Sequence, residues 1–72
     1  MSTEEQIEVL ERIKDDGNIV LIKFDGERAE NQVTVVIDFP PLSGKETIRL
    51  EGNDLNILLD DLIDSYKSKY GL

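Results

Sequence analysis

The side chains best suited to chemistry in this chain are carboxylates. Asp60, Asp61 and Asp64 form the densest group, and Asp60 and Asp64 stand one helical turn apart, a spacing at which two carboxylates share a divalent cation or meet a basic patch. Glu4, Glu5, Glu8 and Glu11 form a second set, with no basic residue before Arg12. Histidine and cysteine are absent, which removes the commonest general base, the commonest metal ligand and the best nucleophile together. Ser2, Ser43, Ser65 and Ser68 therefore have no imidazole to activate them, and none sits in a glycine-rich strand-to-helix elbow. Asp25-Gly26-Glu27, with Glu30 and Asn31 after it, gathers oxygens in one segment without the ligand spacing of a calcium-binding EF-hand loop. No glycine loop of the phosphate-binding kind occurs. The expectation is a non-catalytic protein with no cofactor and no metal site.

The acids need elements to carry them. Ser2 with Glu5 three residues on has the form of a capping box, and Ile7, Leu10 and Ile13 recur near helical spacing until Gly17, with Val9 off that stripe. From Asn18 to Asp25 the residues are β-branched and aromatic, apolar on both alternating faces. A second strand is expected over Val33–Phe39, where Val33, Val35, Ile37 and Phe39 alternate with Thr34, Val36 and Asp38. Pro40-Pro41-Leu42-Ser43-Gly44-Lys45 must turn, because two prolines lack ladder donors and Gly44 tolerates positive φ. Ile48 and Leu50 then mark a short third strand over Glu46–Glu51. After Gly52-Asn53-Asp54, a stripe of Leu55, Leu58, Leu59, Leu62, Ile63, Tyr66 and Tyr70 makes the clearest helix of the chain, ending at Gly71.

These elements predict one α+β domain over residues 1–72, in the order α-β-β-β-α, with a three-stranded antiparallel meander and the second strand in its middle. The simplest covering packs both helices on the face carrying Val20, Ile22, Phe24, Val33, Val35, Ile37, Ile48 and Leu50, and the other face is then left open. Ile19, Leu21 and Val36 would then form an apolar patch among Lys23, Thr34, Asp38, Thr47, Arg49 and Glu51. One helix on each face would hide that patch. The short third strand, at an edge, is also open to pairing with another chain.

This order of elements, at this length, is similar to the double-stranded-RNA-binding domain. The likeness covers the order across the whole chain and no motif. That family grips phosphates with lysines at the start of its last helix, where this chain has Gly52-Asn53-Asp54-Leu55-Asn56 and then acids. The charge at the contact point is reversed, and the family's function is not carried over.

Charge points instead to a protein partner. Sixteen acids against eight bases give a formal charge of −8, and the bases are scattered, so phosphate backbones and anionic membranes are repelled. No direct nucleic-acid or membrane binding is expected; a basic protein is the expected partner, of the kind met by an immunity protein, an antitoxin or a phage-encoded inhibitor. Asp60, Asp61 and Asp64 are the expected contact residues on that side. The alternative is a structural or regulatory homodimer joined through Ile19, Leu21 and Val36, with the acids serving solubility. The start of the chain has neither the basic residues nor the apolar run of a signal peptide, and no stretch approaches the roughly 20 apolar residues that cross a bilayer. The expected compartment is the cytoplasm.

Overall fold

A computed structural model describes residues 1–71, and the elements follow the order α1 (Thr3–Asp15), β1 (Ile19–Phe24), β2 (Val33–Asp38), β3 (Ile48–Gly52) and α2 (Leu55–Tyr70). The strands form one antiparallel sheet ordered β1-β2-β3, with Leu21, Val36 and Arg49 aligned in one row and Lys23, Thr34 and Glu51 in another. Both helices lie on the same side of it: α1 packs on β1, α2 on β2 and β3, and the helices pack on each other. The shortest dimension of the molecule is 18 Å, which has room for one sheet and one layer of helices about 10 Å thick.

Each element starts and stops for a local reason. The Ser2 hydroxyl accepts from the Glu5 amide at 3.2 Å while the Glu5 carboxylate accepts from the Ser2 amide at 3.0 Å, the reciprocal box read from the sequence. Past Asp16 the chain reverses at Gly17, whose φ of 90° suits a residue without a side chain. Asn18, buried there, donates from Nδ2 to the Ile13 carbonyl at 2.9 Å and ties the helix end to the start of β1. Asp54 caps α2 by accepting from the Ile57 amide at 3.1 Å. Gly52, closing β3, lies so near α2 that a Cβ there would stand 3.2 Å from the Leu58 side chain.

The core lies between the layers. Val35 and Ile37 of β2 and Leu59 and Leu62 of α2 are wholly buried, with Ile13 from α1 and Ile48 from β3 closing the sides. Phe39 stacks on Tyr66 and meets Tyr70 edge-on, with centroids 6.1 and 4.9 Å away. The Tyr70 hydroxyl accepts from the Glu46 amide and donates to the Glu46 carbonyl, which pins the β2–β3 connection to the end of α2. Tyr66 and Tyr70 are thus core and rim, as their place on the stripe predicts.

Several placements differ from the sequence pattern: β3 begins at Ile48 and not at Glu46, Thr34 is buried although it belongs to the open face, and Ile7 and Phe24 are exposed. The buried stripe of α1 is Gln6, Val9, Leu10 and Ile13, the full i, i+3, i+4, i+7 set, while Ile7 is turned outward. The polar type of Gln6 concealed that phase. Phe24 alternates with the inward residues Val20 and Ile22 yet is 66% exposed. It ends β1 where no helix covers the sheet.

Candidate functional site: the acidic helical face

Gln6 sets how the two helices meet. Its side chain is fully buried, and Nε2 donates to the Asn56 carbonyl at 3.0 Å and to Asp60 Oδ1 at 2.8 Å. Thr3 Oγ1 donates to Asn56 Oδ1 at 3.0 Å one turn earlier. These bonds hold the first two turns of α1 beside the first two turns of α2, so the helices run side by side in the same direction. Gln6 Oε1 is buried without a partner, a local penalty of the seam.

The carboxylates expected to meet a partner are divided by this seam. Asp60 is half-buried and engaged by Gln6, whereas Asp61 and Asp64 are exposed on the outer side of α2. Glu4, Glu5, Glu8 and Glu11 are exposed on α1. Within the capping box the Ser2 amide and hydroxyl hold the Glu5 carboxyl below the usual range. Because both helices occupy one layer, their acids share one side of the molecule. Glu4, Glu5, Glu8, Glu11, Asp15 and Asp16 on α1 and its C-cap, with Asp54, Asp60, Asp61 and Asp64 on α2 and its N-cap, outnumber Arg12, Lys14, Lys67 and Lys69 by ten to four. The sheet and connections carry the remaining six acids against four cations.

Ile7 and Ile57 complete this surface, and sequence patterning missed both. Each follows a residue of the seam, Gln6 or Asn56, and one step along a helix turns a side chain by about 100°. Ile57 is 61% exposed and Ile7 is also exposed. The available signal was the 6-9-10-13 spacing, which leaves Ile7 outside the buried set. The helical face therefore offers two apolar side chains among acids.

Ile19, Leu21 and Val36 lie on the opposite side, brought together as adjacent residues of β1 and β2. Ile19 and Leu21 are 55% and 56% exposed, and Val36 is half-buried. A chain of ion pairs borders them: Lys23 with Asp25 (3.6 Å), Asp25 with Arg28 (3.3 Å), Arg28 with Glu51 (3.0 Å), and Glu51 with Arg49. The Glu27 amide bound to Asp25, with Lys23 and Arg28 near it, lowers the Asp25 pKa against the effect of partial burial. Burial pushes the Glu51 carboxyl up, but Arg49 and Arg28 together outweigh it and the net shift is downward. Leu42, at the tip of the proline turn, is fully exposed.

The described residues enclose no pocket, bring together no metal-holding group of histidine, cysteine, aspartate or glutamate, and include no helix long and apolar enough to cross a membrane. Compared with known proteins, the chain matches no family, no curated protein and no solved structure.

Proposed function

We propose that this protein is a non-catalytic acidic interaction protein that docks its helical face on a basic protein and neutralises it, in the manner of an immunity protein, an antitoxin or a phage-encoded inhibitor. The observation that carries this reading is the segregation of charge, ten acids against four bases on the one layer of helices. Fields of one sign gathered on one surface steer an oppositely charged partner and speed its association. Ile7 and Ile57 add apolar side chains that a partner would cover, and such desolvated anchors contribute more to affinity than rim charges do.

The test is capture of partners from the source cell's lysate at low and moderate salt, beside a variant carrying Asp61→Asn, Asp64→Asn, Glu4→Gln and Glu8→Gln. Asp60 is left intact because it holds the helix seam through Gln6. A stoichiometric basic protein that the variant loses, and whose activity the wild-type chain abolishes at equimolar ratio, is the expected result. A partner bound equally by wild type and variant at both salts would remove the acidic face from the interface.

A further inference from the structure

The face of the sheet away from the helices differs in charge from the rest of the molecule. Lys23, Arg28 and Arg49 form ion pairs with Asp25 and Glu51, and Asp38, in register with Ile19 and bonded to Thr47, brings the count to three charges of each sign around the exposed side chains of Ile19 and Leu21. A second copy of a chain of charge −8 is repelled from the acidic helices. It meets no such repulsion at a balanced face.

We propose that the open sheet face is a homodimer interface, with two copies stacked face to face about a twofold axis running along β2. This proposal does not rest on the acidic helices having a partner. A twofold along the strands keeps each row of the sheet level and exchanges the outer strands, so β1 of one copy lies over β3 of the other. The observed register then sets the contacts. Lys23 and Glu51 share a row, so Lys23 of each copy faces Glu51 of the other. Leu21 and Arg49 share the next row with Val36 between them, so Leu21 covers the aliphatic stem of Arg49 and Val36 meets its twin. Asp38 also faces its twin, near one end of the strand, with its carboxylate already accepting from Thr47 Oγ1 and the Phe39 amide. A twofold across the strands would instead set Arg49 against Arg49 and Lys23 over Ile19. The axis along β2 thus brings Lys23 and Glu51 together as two opposite-charge pairs and leaves Asp38 as its one like pair, whereas the axis across the strands through the Leu21 row makes no opposite-charge pair. In this dimer the helical layers face outward on opposite sides.

Three strands of five or six residues give a footprint of about 14 Å by 20 Å, roughly 280 Å², well below the roughly 800 Å² per partner of a standard interface, so the dimer is expected to depend on concentration. The experiment is sedimentation equilibrium of the full chain from about 10 μM to 1 mM in moderate salt, with folding of every variant checked by circular dichroism. The wild type is expected to rise toward twice the chain mass. Lys23→Glu places glutamate opposite glutamate in its own dimer, and Glu51→Lys places lysine opposite lysine, so each alone is expected to stay monomeric. Mixed in equal amounts they pair opposite charges at both positions, and the double mass is expected to return. Leu21→Glu, at an exposed position, is expected to be monomeric whether or not Glu51→Lys folds. A wild type of single mass at 1 mM would overturn the proposal, as would a Leu21→Glu or Lys23→Glu protein that dimerises as the wild type does, or two folded charge variants that do not combine.

Discussion

Glu51 shows how one side chain ties two segments of this chain together. It stands on β3, pairs with Arg49 on its own strand, and reaches Arg28 in the β1–β2 connection at 3.0 Å. Its carboxyl titrates below the usual range because those two cations outweigh the effect of burial. A carboxylate whose folded pKa is depressed stabilises the fold fully above its unfolded pKa, near 4.3, and loses that contribution as pH falls through the depressed value. Thermal melts of wild type and Glu51→Gln are accordingly expected to differ at pH 7, with the wild type higher. The gap should close in acid below the ordinary carboxylate range. Because its Arg28 and Arg49 partners are part-exposed, the gap is expected to be small. A gap that widens in acid would contradict the sign of the shift.

At the scale of elements, the joint between α1 and α2 is polar where the joint between helices and sheet is apolar. Gln6 is wholly buried and makes two hydrogen bonds to α2, so Gln6→Ala removes both bonds and leaves a void. The expected loss is about 2 kcal/mol, or on the order of 10 °C in Tm for a domain of this size. Phe24 lies on the alternating face that looks inward but has no helix over it. Phe24→Ser is expected to change stability by no more than about 0.5 kcal/mol. Chemical denaturation of the two variants separates these cases, and a Phe24→Ser variant as damaged as Gln6→Ala would mean that a helix does cover the end of β1.

Over the whole molecule, repulsion among the acids of the helical layer opposes the ion pairs of the open face. The helices carry six more acids than bases, and the rest of the chain two more. The bridging groups of the open face sit in one alternating chain that is largely satisfied at close range. Salt screens the longer-range repulsion once the Debye length falls to about 10 Å, near 0.1 M, and affects close, partly buried pairs less. The Tm at pH 7 is expected to rise by several degrees between about 10 mM and 0.5 M sodium chloride. A fall over that range would show that the ion-pair chain outweighs the self-repulsion.

Most of the fold was legible in the sequence because it rests on short-range rules. The capping box at Ser2 and Glu5, the turn at Gly17, the proline turn at Pro40-Pro41, the Asp54 cap and the leucine stripe of α2 each follow from a few adjacent residues, and each stands where those residues predict. Strand alternation put Ile19, Leu21 and Val36 on one face, and composition fixed the charge of −8. That both helices share one layer was the simplest expectation and holds, but only tertiary contact makes it so, since an apolar stripe specifies that a helix is covered and not which face of a sheet covers it. From that choice came the gathering of acids on one side and the exposure of the open face on the other. Tertiary contact also decided which carboxylates stay free. Asp60, Asp61 and Asp64 are alike as letters in a run, but Gln6 from a distant helix takes Asp60 into the seam and leaves Asp61 and Asp64 in water. A hydrogen bond between residues 54 positions apart depends on how two helices cross, and no local pattern encodes it.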